Sequence, residues 1–291
     1  MINRRLIACL IIKNGIVVQS IGFEKYLPVG KPEIAAEFLN RWGIDEIILL
    51  DMDATPQGRG PDFEMVRRVA KKCFVPLTVG GGIADVETMR KLIRNGADKV
   101  CMNTSAIRHP ELIQEAADVL GNQCLVVSMD VRRKKDERCE VFMNSGRSPT
   151  DLNPAGWAQR VEDLGAGEIF LNSIDRDGSK SGYDLELIRT VTQAVSIPVI
   201  ACGGVGCPEH FVEGLVKGNA TAVAAGNYFH FTQHSPIAAK SFLRQKENVR
   251  VRLDTHATYA DFSFDDLGRV GKRTDAYLNK IRFEYQEKEV I

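Results

Sequence analysis

The sequence predicts a (β/α)8 TIM barrel built from two duplicated half-barrels and followed by a C-terminal extension. Three observations predict it: eight apolar runs alternating with helix-period stretches, a repeat at a fixed offset, and a length of 291 residues, set against roughly 250 for one such barrel. The runs, rich in β-branched residues, are Leu6–Ile12, Glu46–Leu50, Val75–Val79, Lys99–Met102, Leu125–Asp130, Glu168–Leu171, Pro198–Ala201 and Ala222–Ala225. Continuous apolar runs of this length read as parallel strands covered on both faces. Between them the amphipathic stretches Pro32–Trp42, Phe63–Lys72, Val86–Asn95, Pro110–Leu120, Asn153–Leu164, Leu185–Val195 and Pro208–Lys217 read as crossover helices. An open doubly wound sheet is the rival, but the GxGxxG turn it usually carries after its first strand is missing.

The repeat favours the barrel. Pro76 and Pro198 stand 122 residues apart, and so do Gly81 and Gly203, Gly82 and Gly204, Gly60 and Gly182, and Asp62 and Asp184. LTVGGGIADVETMRKLIRNGA thus reappears as VIACGGVGCPEHFVEGLVKGN, and strands two and three match strands six and seven. Several coincidences at one offset mark a duplication of half-barrels. Residues 1–253 are read as the barrel and 254–291 as the extension.

Composition narrows the function. The 38 Lys+Arg balance 38 Asp+Glu, so no excess of cations is available for phosphates and a nucleic-acid partner is not expected. No run of 18 apolar residues is long enough to span a membrane. The start, MINRRLIACLIIKNG, reads as a strand and not a signal peptide. Seven cysteines without a CxxC pair suit reduced thiols and a cytoplasmic location. The five histidines have no ligand spacing, so neither a metal nor a cofactor is expected. His230 reads as a packing residue, and the charged run Arg132–Arg138 as a solvated loop.

The active site of such a barrel lies at the C-terminal ends of its strands. Two glycine turns fall there, Gly80-Gly81-Gly82 and Gly203-Gly204, with Asn103-Thr104 and Ala225-Gly226 ending strands four and eight. Glycine lets backbone amides approach an oxyanion closely. One cradle per half implies a bisphosphorylated small molecule; the bland alternative is that these glycines only permit tight turns. Asp51, Asp130, Asp175 and Asp177 end strands two, five and six. Aligning the halves sets Ile11 where the duplication expects a carboxylate opposite Asp130, so one half of an acid–base pair is missing. At the other rim, strand parity turns Arg5 and Lys99 toward the lumen, while Glu46 and Glu168 begin strands two and six. They form either a neutral ring closing the barrel or an ordinary solvent-rim ion network.

The segments RRLIACL, DEIILLD, VGGGI, GADKV, NTSAI, SIDRDGSKSGYD, GGVG and the FHF stretch resemble the cyclase subunit of imidazole glycerol phosphate synthase over residues 1 to about 253. SIDRDG–KSGYD is the most specific of them. The resemblance implies a barrel that takes ammonia from a glutaminase at its lower rim. The ammonia then reacts at the mouth with a bisphosphorylated ribulosyl-imidazole-carboxamide. Carried over by position, it makes Arg5, Glu46, Lys99 and Glu168 an ammonia gate and turns Asp98 to the glutaminase. It sets Gly82, Asn103, Thr104, Asp177, Gly178, Gly204, Ala225 and Gly226 at two phosphate sites. Asp130 becomes one catalytic carboxylate.

The sequence departs from that pattern at Ile11, where the second carboxylate belongs, at Gln19 for a lysine and at Asn172 for a threonine. The loop GFEKYLPVGKP resembles a divergent branch associated with acetamidino modification of surface sugars. The expectation is therefore an ammonia conduit with weak or no cyclase activity, relaying ammonia to a sugar amidotransferase in surface-polysaccharide biosynthesis. The alternatives are a genuine cyclase of histidine biosynthesis and a non-enzymatic adaptor between glutaminase and acceptor. Residues 254–291, with early alternating aromatics and a short helix expected around Asp275–Tyr285, are a loose tail, a segment packed on the barrel or a docking surface for the acceptor.

Overall fold

A computed structural model describes residues 3–231, 234–255, 257–259 and 262–271. The chain opens with β1 (Arg5–Lys13), which turns back at Asn14-Gly15 into an antiparallel arm of β2 (Ile16–Ile21) and β3 (Lys25–Gly30). Both turn residues have positive φ, 50° and 76°, the geometry that Asn-Gly favours because its twist matches that of the flanking strands. This arm was not read from the sequence, although its Asn-Gly signal was there. Then follow α1 (Pro32–Arg41), β4 (Glu46–Asp51), α2 (Phe63–Ala70), β5 (Leu77–Gly80), α3 (Val86–Arg94) and β6 (Lys99–Met102). The short α4 (Thr104–Arg108) and α5 (Glu111–Leu120) lead into β7 (Leu125–Arg133).

The second half repeats the plan. From β7 springs a second arm, β8 (Cys139–Met143) and β9 (Ser148–Pro149), followed by α6 (Pro154–Asp163) and β10 (Glu168–Ser173). The chain continues through α7 (Leu185–Ala194), β11 (Val199–Cys202), α8 (Pro208–Val216), β12 (Ala222–Ala225), α9 (Tyr228–Phe231) and α10 (Ser235–Arg244). Asp62 and Asp184, the repeat-related pair, each cap a helix by accepting from the backbone N–H three residues on, satisfying an amide that the first turn leaves unpaired.

Eight parallel strands close in the order β1, β4, β5, β6, β7, β10, β11, β12 and back to β1. This is the expected (β/α)8 barrel. Strand alternation divides its core in two. Outward-facing Leu6, Leu49, Val79, Val127 and Leu171 pack under the helices. Inward-facing Ile7, Cys9, Ile48, Cys101, Val126, Phe170, Ile200, Ala222 and Ala224 fill the lumen.

The run Arg132–Arg138 is not simply a solvated loop. Arg132 and Arg133 continue β7 and pair with Glu140 and Cys139. Arg133 also donates to Asp184 and Glu186, forming an ion pair with each, which pins the end of β7 to the start of α7. All seven cysteines are free.

The described part of the extension packs on the barrel. Thr255 and Tyr259, which bond to each other at 2.7 Å, pack on Gly43, and Phe264 meets Phe242 edge-on. Glu209 N, in the first turn of α8, donates to Leu267 O. The helix expected around Asp275–Tyr285 lies outside the described residues.

Candidate active site and lower rim

The C-terminal strand ends surround a mouth cavity of about 1210 Å³, open solvent included. Ile11, Asp130 and every residue expected at the two phosphate sites line it together: Gly82, Asn103, Thr104, Asp177, Gly178, Gly204, Ala225 and Gly226. The glycine turns are there for steric reasons. Gly81 has φ 109°, and a Cβ on it would strike the Asp51 carbonyl; Gly204 has φ 101° and a Cβ there would strike the Gly182 carbonyl. Gly182 N in turn donates to Gly204 O at 2.8 Å, so Gly182 and Gly204, both in the second half, brace one another.

Asp130 sits on β7 at the level of the mouth, three residues before the strand's end, and is 8% exposed. The amides of Asn172 and Asn103 lie at 3.5 Å from its two oxygens. Burial, with the nearby Asp177 adding to it and the Asn172 amide opposing, pushes its carboxyl up to about 7. A carboxyl with that pKa exchanges protons freely at neutral pH. Asp177 is raised to about 6 by burial, against hydrogen bonds from Ser20 Oγ at 2.6 Å and from Phe23 N at 3.2 Å. Through these contacts Asp177 also holds the first arm over the mouth. Asn227 grips the same arm, accepting from Ser20 N and donating to Ser20 O at 2.6 Å. The second arm is held by Asn103, whose amide donates to Phe142 O, and by Thr104, whose hydroxyl accepts from Asn144 N.

The other strand-end aspartates do not join Asp130 as free acids. Asp51 lines the cavity but is held by Arg59 at 2.8 Å. Asp175 faces away and accepts from Arg133 N at 2.7 Å. Across from Asp130 stands Ile11, packed on the apolar lumen cluster. The Asp51–Arg59 pair and the three inward thiols, Cys9, Cys101 and Cys202, were missed from the sequence. Their strand parity, shared with Ile11 and Asn103, was the available signal for the two thiols Cys9 and Cys101.

The lower rim is a closed ring of alternating charge. Arg5 Nη1 lies 2.8 Å from Glu46 and 2.9 Å from Glu168; Lys99 Nζ lies 3.5 Å from Glu46 and 3.1 Å from Glu168. Each cation therefore meets both anions, which a solvent-rim network of isolated pairs would not do. Desolvation works against the Arg5 guanidinium, but Glu168 and Glu46 outweigh it and raise its pKa. Asp98 is exposed beside the ring and accepts from Leu77 N at 2.8 Å. His230, by contrast, belongs to neither site: burial lowers its pKa to about 4.

With this geometry in hand, comparison with known proteins decides the family. The profile described as histidine biosynthesis protein matches residues 5–235. The chain belongs to that family. This histidine-biosynthesis-type barrel is 46% identical over 269 residues to a Vibrio vulnificus (strain YJ016) protein bearing the provisional name imidazole glycerol phosphate synthase subunit hisF2, covering 92% of this chain and 98% of that one. It is 48% identical over 254 residues to the imidazole glycerol phosphate synthase subunits HisF of Clostridium botulinum strains 657 / Type Ba4 and Langeland / NCTC 10281 / Type F, covering 87% of this chain and all of theirs. The barrel is thus similar to HisF cyclase subunits nearly throughout. Among its described residues no cluster of three or more His, Cys, Asp or Glu is placed to hold a metal ion, and no helix is long and apolar enough to cross a membrane.

Proposed function

We propose that the chain is the cyclase-type barrel subunit of an imidazole glycerol phosphate synthase. A glutaminase docks at the rim that carries Asp98, and ammonia passes the ring of Arg5, Glu46, Lys99 and Glu168. At the mouth it meets a bisphosphorylated substrate held between the glycine turns of the two half-barrels. The observation that carries this reading is the arrangement at the two ends of one barrel: a closed, neutral four-charge ring below, and Asp130 between paired glycine turns above. Likeness to HisF subunits along nearly the whole chain favours the histidine pathway over the surface-sugar role expected from the loop GFEKYLPVGKP.

In this reading Asp130 gives and takes the protons of ring closure, since its pKa of about 7 leaves both forms populated near neutrality. The amides of Asn103 and Asn172 keep it oriented. Backbone amides of the Gly81-Gly82 and Gly203-Gly204 turns bind the two phosphates, and the arms held by Asp177 and Thr104 shield the reaction from water. The test is turnover of the bisphosphorylated ribulosyl-imidazole-carboxamide by the purified protein with ammonium salts, together with complementation of a strain lacking the cyclase. Failure in both would overturn the cyclase reading.

Ile11 favours a second reading. A site with one carboxylate is a slower acid–base catalyst, and the barrel then serves mainly as a conduit or adaptor that hands ammonia to an amidotransferase, such as one acting on a surface sugar. Asp98→Lys should abolish glutaminase binding under every version. A conduit would lose ammonia transfer when its lumen is plugged, for example by Ala224→Phe; an adaptor would not.

A further inference from the structure

We propose that a turn of the C-terminal extension, residues 265–269, is a positioning element for the second phosphate turn. Its Leu267 carbonyl caps α8 in place of a side chain that the second half-barrel lacks, and this holds Gly203-Gly204 in position. The inference rests on the phosphate role proposed above for that turn and gives the extension a part in it.

The two halves differ at this point. In the first, the turn Gly80-Gly81-Gly82 leads into α3, whose N-cap is Asp85, and the Asp85 carboxylate accepts from Thr88 N at 2.7 Å. The residue 122 positions on is Cys207, the N-cap of α8, whose side chain makes no capping hydrogen bond. An N-cap side chain satisfies an amide that the first helical turn leaves unpaired, and a thiol is a weak acceptor for that purpose. Pro208, at the first helical position, has no N–H to satisfy. The next amide, Glu209 N, donates instead to Leu267 O at 3.1 Å. The missing cap is thus supplied from beyond the barrel.

The capping carbonyl is presented by a turn that is fixed both internally and against the barrel. Asp265 Oδ1 accepts from Leu267 N at 3.0 Å and from Arg269 N at 2.8 Å, while its other oxygen accepts from Arg269 Nε at 2.8 Å. An antiparallel bridge between Phe264 and Val270 closes the base of the turn. Gly268 has φ 77°, and a Cβ there would come within 2.7 Å of Pro208 Cβ and 2.9 Å of the Phe242 ring. The tip therefore seats directly on the start of α8. Lys246 pins the same place, pairing with Glu209 at 2.9 Å while lying over the Phe242 ring.

From the cap to the phosphate turn the contacts are continuous. His210, in the first turn of α8, accepts at Nδ1 from Gly206 N at 3.1 Å, and its ring stands beside Gly182. Gly182 N donates to Gly204 O at 2.8 Å. The start of α8 thus grips Gly206 directly and Gly204 through Gly182. Fraying of that first turn would release both, and the Gly203 and Gly204 amides would lose their common orientation. Packed, hydrogen-bonded chains of this kind carry coupling between one site and another.

The test uses the full chain, with hydrogen–deuterium exchange and with titration of the bisphosphorylated ribulosyl-imidazole-carboxamide in the absence of ammonia. Gly268→Val drives the tip off Pro208, and Asp265→Ala loosens the turn from its exposed side without adding bulk. Each should speed exchange of the amides of residues 203–207 at least fivefold and leave those of residues 81–85 unchanged. Each should also weaken substrate binding at least threefold. Cys207→Asp gives the second half the cap of the first, and in either variant it should bring both readouts back to within twofold of the parent. If the folded variants only melt at lower temperature, with exchange and affinity unchanged, the positioning role is overturned and the phosphate reading stands. Failure of Cys207→Asp to restore the two readouts would overturn it as well, because a cap would then not be what the turn supplies. If the parent does not bind the bisphosphorylated substrate, the phosphate reading falls, and the positioning role with it.

Discussion

Replacing Ile11 by Asp should raise cyclase turnover. Ile11 lines the mouth with Asp130 and rests on the apolar lumen cluster. Removing it sacrifices part of the roughly 1.5–3 kcal/mol that a fully buried aliphatic side chain contributes; because Ile11 is only half-buried, about 1 kcal/mol is a fair figure. The new carboxyl shares the mouth cavity with the buried Asp130, whose pKa is already about 7. Two carboxyls in such a site repel when both are ionised, so their titrations separate and one stays protonated while the other is charged. That is the acid and base a proton-transfer pair requires. The expected gain is a factor of about 10²–10⁴ in kcat, with KM little changed because the glycine turns are untouched. The assay is steady-state turnover of the bisphosphorylated substrate with ammonium salts between pH 6 and 9, and Ile11→Asn is the size-matched control that cannot exchange protons. A folded, substrate-binding Ile11→Asp protein no faster than its parent, or a gain reproduced by Ile11→Asn, would refute the reasoning.

Asp130→Asn should abolish residual turnover and raise stability at pH 8. A carboxyl raised from 3.8 to about 7 on folding binds its proton more tightly in the native state, so stability is lost as pH rises from about 4 to 7, by a few kcal/mol in order of magnitude. Urea titrations across that range should show a shallower decline for the variant. Lys240→Met should cost about 3–5 kcal/mol, since it strands the buried Asp45 carboxylate, which otherwise accepts from Leu6 N and pairs with Lys240 at 2.5 Å. Lys240→Met/Asp45→Asn should recover much of that loss in denaturant titrations. Gly204→Ala should raise KM for the bisphosphorylated substrate at least tenfold, measured by titration or kinetics, because its Cβ would push the turn off the Gly182 carbonyl.

Much of the molecule follows from periodicity alone. A strand or helix written into hydrophobic pattern needs no distant information, and the 122-residue offset shows that pattern in both halves. The eight strands and the crossover helices were therefore legible, as were the glycine turns, whose residue type is itself a statement about φ. Parity along β1 and β6 likewise told that Arg5 and Lys99 face the same lumen as Ile11 and Asn103. The arm β2–β3 was passed over because Tyr26, Leu27 and Val29 are poorly covered and so leave no burial pattern to read. Arg132–Arg138 looked like solvent because charge runs usually are; the ion pairs of Arg133 with Asp184 and Glu186 are made across about fifty residues.

Sequence by itself thus determined the barrel, its duplication, the position of Asp130 and the absence of a carboxylate at position 11. Tertiary structure alone decided whether four charges on four strands close into a ring, which aspartates stay free, and where the chain goes after its last helix. The physical reason is the same in each case. Ion-pair distances of 2.8–3.5 Å in the ring, the capture of Asp51 by Arg59 and the packing of Tyr259 on Gly43 depend on barrel closure. Closure brings together residues whose separation along the chain carries no local signal.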